Sequence, residues 1–159
     1  MQQISEHAAS RRQLLRVAAA ISVGLAAGLI APSEVFGAEW DGKAFDAKSV
    51  QDALKALGGS NFAESKEVNL IAPDIAENGA VVPVGVASSV PNTELIAILV
   101  DKNPNTLSGV FSIPAGTEPQ VNTRIKMSGT ATVHALVKAK GRWLMASKEV
   151  KVTLGGCGG

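Results

Sequence analysis

Apolar residues that recur at every second position, in short runs, constrain this chain more than any other feature. Val68, Leu70 and Ala72 alternate ahead of Pro73, and Val82, Val84 and Val86 alternate ahead of breaks at Ser88-Ser89 and Pro91-Asn92. Val121, Thr123, Ile125 and Met127 alternate with Asn122, Arg124 and Lys126, and Val133, Ala135 and Val137 form another such run. A period of two is that of a strand with one buried face. Lys140-Gly141 reads as a tight hairpin turn, returning into Arg142 to Leu154 with Val150, Val152 and Leu154 on one face. Short strands at regular spacing, separated by Pro, Asn and Gly, predict a mainly β fold. The expected architecture is an immunoglobulin-like antiparallel β-sandwich, with a small barrel as the alternative. The Cys–Trp–Cys pattern of antibody domains is absent, so the reading rests on strand number and spacing.

Two segments depart from that period. Ser49 can cap a helix in which Val50, Ala53, Leu54 and Leu57 share a face, and Gly58-Gly59 ends it. This predicts one short N-terminal helix. Leu95-Ile96-Ala97-Ile98-Leu99-Val100 is apolar on both faces. Either the helix covers its outer side or a second subunit does, because contiguous exposed apolar surface marks an interface.

Composition removes several function classes. The 159 residues are 46% hydrophobic and 18% charged, enough for one cored domain. Aromatics are 4% with no Tyr, which argues against aromatic-lined grooves for single-stranded nucleic acid or glycans. Fifteen basic residues against fourteen acidic leave no phosphate-binding excess, so no nucleic-acid partner is expected. One cysteine excludes an intramolecular disulfide and any multi-cysteine zinc or iron–sulfur cage. With only His7 and His134 for imidazoles, no metal site is expected, and His134 reads as an ordinary strand side chain. An enzyme is disfavoured, since no nucleophile–base pair is recognisable.

Residues 1–37 read as an address. Ser10-Arg11-Arg12-Gln13-Leu14-Leu15-Arg16 is a basic segment with paired arginines, followed by the Ala- and Gly-rich run Val17 to Ala31 and then Pro32. Arg11 and Arg12 ahead of a weakly hydrophobic run have the layout of a twin-arginine export signal. The run is shorter than the roughly 20 residues that span a bilayer, so no membrane attachment is expected after cleavage. Cleavage after Gly37 would remove three arginines and two glutamates and leave a chain of zero net charge. The expected location is the periplasm.

The only cysteine lies in Gly155-Gly156-Cys157-Gly158-Gly159. Glycine has no Cβ and visits both signs of φ, so this segment is slender and without a preferred conformation. Gly155, Gly156, Gly158 and Gly159 form a tether around Cys157. At about 3.5 Å per residue, residues 155–157 carry the sulfur roughly 10 Å past the last strand, which suits insertion into a narrow pocket of another protein. Ordering such a tether costs about 1–2 kcal/mol per residue, so it should bind weakly and release quickly. No cation adjoins Cys157 in sequence, so the thiol is the major form at neutral pH and activation must come from the partner. The competing reading is a structural periplasmic sandwich dimerised through a Cys157 disulfide.

The glycine segment, the preceding Val150-Lys151-Val152-Thr153-Leu154, the stretch Ile75-Ala76-Glu77-Asn78-Gly79-Ala80-Val81-Val82-Pro83-Val84 and the twin-arginine leader together resemble the SoxY family. These are covalent sulfur carriers of thiosulfate-oxidising Sox systems. The resemblance spans residues 38–154 as the sandwich domain and 155–159 as the carrier segment. It implies a SoxYZ heterodimer with SoxZ and sulfur intermediates held on Cys157. It also implies visits to the cytochrome SoxAX, the hydrolase SoxB and, where present, a sulfane dehydrogenase. It implies a carrier rather than an enzyme, with no cofactor of its own.

Overall fold

A computed structural model of the chain describes residues 42–155. The leader read over residues 1–37, and Gly156, Cys157, Gly158 and Gly159, lie outside the described residues.

Two short helices open the described chain: α1 (Gly42–Phe45) and α2 (Val50–Ala56). α2 is the helix expected from the sequence, and its ends form as the residues dictate. The Ser49 hydroxyl accepts from the Asp52 N–H at the start. At the end, Gly58 lies at φ 82, the Gly58 N–H donates to Lys55 O and the Gly59 N–H to Leu54 O. That paired closure requires a residue in the left-handed region, which glycine occupies without strain. Gly59 is glycine for a different reason, close approach. A Cβ there would collide with Leu54 and lie 2.7 Å from Trp143 Nε1.

Nine strands follow: β1 (Ala63–Glu64), β2 (Val68–Ile71), β3 (Ile75–Ala76), β4 (Val82–Ser88), β5 (Thr93–Val100), β6 (Leu107–Ser112), β7 (Gln120–Ile125), β8 (Ala131–Ala139) and β9 (Arg142–Val152). One sheet runs β1-β9-β8-β5-β6, with β3 also pairing with β9; the other runs β2-β4-β7. The β4, β5, β8 and β9 pairings are antiparallel except that β1 and β3 join β9 in parallel. The fold is the mainly β, immunoglobulin-like sandwich expected, with α1 as an additional helix. The Lys140-Gly141 hairpin is as read: both residues have positive φ, 49 and 71, as a two-residue turn requires.

The two sheets enclose one apolar core. Val82, Val84 and Val86 of β4 meet Ile96, Ile98 and Val100 of β5, and Val133, Ala135 and Val137 of β8. The alternation seen in the sequence is therefore the inward face of each sheet. A second core lies on the outer side of the larger sheet. There Ala44, Ala47, Ala53 and Leu54 cover Ala97, Leu99, Leu107, Leu136, Trp143 and Met145. This answers the question posed by β5. Ile96 through Val100 are all wholly buried, one face by the opposite sheet and the other by the helices of the same chain.

Candidate functional site

The chain leading to the glycine segment departs from the larger sheet at the end of β9. Val152 closes the strand, two residues earlier than the Leu154 expected from sequence. Thr153 and Leu154 then pass along the loop that β3 opens. The Thr153 N–H donates to Ala76 O (3.1 Å), its hydroxyl donates to Glu77 O (2.9 Å), and the Gly79 N–H donates to Leu154 O (2.7 Å). One step earlier, the Lys151 N–H donates to Asp74 O (3.0 Å). The loop itself is shaped by Asn78, whose side-chain oxygen accepts from the Ala80 N–H (2.8 Å) while its carbonyl accepts from the Val81 N–H (3.3 Å). Asn is favoured in such a turn because its amide mimics the main chain.

A second loop, between β7 and β8, closes the other side. The Val152 N–H donates to Thr130 Oγ1 (3.0 Å). The buried Gly79 bridges the two loops, its carbonyl accepting from the Met127 N–H (2.7 Å). Ser128 is pinned in turn by Asn103, from the loop between β5 and β6. Asn103 Oδ1 accepts from the Ser128 N–H (3.0 Å) and lies 3.2 Å from its hydroxyl, and Asn103 Nδ2 donates to Lys126 O (2.7 Å). The Ser128 hydroxyl also reaches Lys102 O at 3.1 Å.

Of the four tether glycines read from the sequence, Gly155 falls among the described residues. A Cβ at Gly155 would collide with the Ser128 carbonyl oxygen and lie 3.3 Å from the Ser128 carbonyl carbon. Here glycine is needed for close approach of two main chains rather than for freedom. Cys157, Gly156, Gly158 and Gly159 lie outside the described residues, as do Arg11 and Arg12.

The root of the glycine segment is therefore a mounting made of main-chain groups, the hydroxyls of Ser128, Thr130 and Thr153, and the side-chain amides of Asn78 and Asn103. Nearby, Lys148 donates to Ala72 O and pairs with Asp74 at 2.9 Å. The hydrogen bond and charge of Lys148 hold the Asp74 carboxyl below its usual range. The pair ties β9 to the start of the β3 loop. Among the described residues, no group of three or more His, Cys, Asp or Glu is placed to hold a metal ion.

The fold also makes one contact that the sequence reading did not anticipate. His134 Nδ1 and Ser147 Oγ lie 2.8 Å apart on β8 and β9. Burial pushes the His134 imidazole below its ordinary value, outweighing the opposing charge of Asp101. The pair was findable: a two-residue turn at Lys140-Gly141 fixes the register that sets His134 opposite Ser147. Ser147 of the pair also lines a surface cleft, together with Glu64, Ser65, Lys66, Met145 and Ala146.

Comparison with known proteins adds to this geometry. Residues 53–157 match the model of the family described as Sulfur oxidation protein SoxY, a span that runs through Cys157. Among solved structures, the chain is similar to the sulfur carrier protein SoxY from Chlorobium limicola f thiosulfatophilum. The two are 38% identical, the match covers 72% of this chain and 100% of that one, and the TM-score is 0.62. A lytic polysaccharide monooxygenase from Jonesia denitrificans is also similar, at 16% identity over 51% of this chain and 58% of that one, with a TM-score of 0.38. That likeness is too slight to bear on function. No curated protein matches the chain.

Proposed function

The chain belongs to the SoxY family of sulfur oxidation proteins, and from that premise we propose that it is a periplasmic carrier holding sulfur covalently on Cys157. Family membership makes it a sulfur carrier of a Sox system, working within a SoxYZ partnership. The finer reading concerns how. In the proposed cycle the Cys157 thiol loses its proton, and its sulfur bonds to the sulfane sulfur of thiosulfate. The SoxAX cytochrome accepts the two electrons that this bond formation releases. SoxB then adds water across the bond between the sulfane and sulfone sulfurs, releasing sulfate and leaving a persulfide on Cys157. Where a sulfane dehydrogenase exists, it takes six electrons from that outer sulfur while three waters supply its oxygens, and hydrolysis of the resulting S-sulfonate releases a second sulfate and returns the Cys157 thiol.

The observation that carries this reading is the placing of the chain's only cysteine within Gly155-Gly156-Cys157-Gly158-Gly159, directly after a strand whose exit is held on both sides. The chemistry asks for such a division. The adducts are reactive, and a covalent tether keeps them at high local concentration beside each successive enzyme. A slender mount without bulky side chains lets one thiol enter several unlike pockets. The acid, base and metal chemistry then belongs to the visited enzymes. The leader at Arg11-Arg12 supports export to the periplasm, where the mature chain would begin near Ala38.

Replacing Cys157 with Ser tests the reading. Reconstituted with its Sox partners, the Cys157→Ser protein should fold normally yet support no thiosulfate-dependent electron transfer. Full activity in that variant, with only a Cys157-linked dimer lost, would leave the cysteine as a structural staple.

A further inference from the structure

The loop carrying Ser128 is bonded to the loop between β5 and β6 through side chains. Three contacts join Asn103 to Lys126 and Ser128, and a fourth joins Ser128 to Lys102. Asn103 is 25 residues from Ser128 in sequence, so its amide is committed to a long-range contact. The result is a fixed carbonyl at Ser128, and Gly155 packs against that carbonyl so closely that no Cβ fits. On the opposite side, Gly79 holds Leu154 and is itself tied to Met127. The residue that starts the glycine segment is thus set between two loops that are bonded to each other.

We propose that Asn103 and Ser128 are positioning residues for the carrier reaction: through Gly155 they fix the point and direction from which Cys157 is presented to the enzymes that modify it. This rests on the reading of Cys157 as the sulfur-bearing residue and deepens it. The physical argument is one of lever length. With Gly155 held, two peptide units separate the mount from Cys157, a reach of about 7 Å. A free Gly155 would lengthen the arm and enlarge the volume its thiol explores, lowering the effective concentration of thiol at a docked pocket. A short arm gains that concentration only if it leaves the domain in the right direction. Reacting atoms must meet at about 3–3.5 Å, and a shift of about 1 Å can cost two orders of magnitude in rate.

The test is a double-mutant cycle on the full mature chain, loaded with thiosulfate on Cys157 and offered to the sulfate-releasing hydrolase. Gly155→Ala should force the main chain away from Ser128 and lower kcat/KM about tenfold or more. Asn103→Ala should free Ser128 and lower it several-fold. The double variant should be no worse than the poorer single, because a freed Ser128 can yield to the new methyl. Through all of this, alkylation of unloaded Cys157 by iodoacetamide should keep its rate, since a small reagent needs no particular direction of approach. Singles within twofold of the unsubstituted protein, losses that simply multiply in the double, or alkylation slowing in step with turnover would each overturn the proposal.

A nitroxide on Cys157 paired with one on Arg142→Cys supplies a second readout should Asn103→Ala fail to fold. The distance distribution should broaden in Gly155→Ala and would refute the proposal by staying the same. The cycle also separates this proposal from the reading beneath it. Turnover that survives Cys157→Ser defeats the carrier reading itself, whereas turnover that needs Cys157 but ignores Gly155 and Asn103 defeats the positioning role alone.

Discussion

Leu54 offers a quantitative test of how the outer face of β5 is sealed. Its side chain is fully buried, at 0% exposure, and packs from α2 into the cluster of Ala97, Leu99, Leu136, Trp143 and Met145. Its position is fixed from a second direction by Gly59, where any Cβ would strike it. The site therefore has little room to collapse when the side chain is shortened. Leu→Ala changes in such settings cost about 2–5 kcal/mol, part of it lost transfer energy and part the cavity left behind. With about 3 kcal/mol taken as the central value, a domain of this size should melt roughly 10 °C lower. The assay is thermal unfolding of residues 38–159 followed by circular dichroism, alongside the exposed Lys55→Ala as a control that should move Tm by about 1–2 °C at most. The α2 seal also predicts that Leu54→Ala leaves Cys157 as reactive as before at temperatures where the fold survives. A Tm within 2 °C of the unsubstituted protein would refute the reasoning, because the outer face of β5 would then owe its burial to something other than α2.

Other outcomes follow from single features of the structure. Lys140 holds φ 49 with a Cβ attached, in a turn that favours Asn before Gly, so Lys140→Asn should raise stability by about 0.5–1 kcal/mol in denaturant unfolding; a loss would count against the turn assignment. The neutral imidazole of His134 is favoured by burial, so its share of stability is complete above its ordinary value of 6.5 and is lost as pH falls from there through the lower folded-state value. His134→Gln should accordingly flatten the fall of Tm with pH just below 6.5, and an unchanged slope would contradict the assignment. Gly156→Val with Gly158→Val should slow turnover by the Sox enzymes while leaving Tm within about 1–2 °C, and a large drop in Tm would show those positions to be part of the packed fold.

Much of the architecture was legible because it obeys a local rule. The Ser49 cap, the Val50-Ala53-Leu54 face and the Gly58-Gly59 stop define α2 within eleven residues of sequence. β4 and β8 show their buried face as plain alternation. β6 was less visible, since Gly109 and two serines interrupt the apolar pattern of Leu107–Ser112 and the strand is only half-buried. β1 and β3 are two residues each, too short to display any period, and both join β9 in parallel, a pairing no hairpin turn announces. The doubly apolar β5 told that both its faces were covered but not by what. The choice depended on how α1 and α2 fold back, which is a tertiary matter.

The functional region divides in the same way. The cysteine among glycines is a sequence feature and needed no coordinates. Its mount is built from main-chain hydrogen bonds and from Asn103, whose partners lie 23 and 25 residues away. Nothing in a run of residues near Asn103 marks it for that task. Gly155 shows the limit most clearly. In sequence it is indistinguishable from Gly156, whereas in the structure its missing side chain is demanded by Ser128. The Asn78-Gly79 pair was the available clue to a turn, but the burial of Gly79 between the two loops shows only in the structure.

The most direct measurement is the intact mass of the protein taken unreduced from cells oxidising thiosulfate, followed by fragmentation to locate any added mass. The carrier account predicts sulfur-bearing additions, of thiosulfonate and persulfide type, confined to Cys157 and removed by reductant. A protein that carries only an unmodified thiol or a disulfide to a second chain at Cys157, while thiosulfate is being consumed, would contradict it.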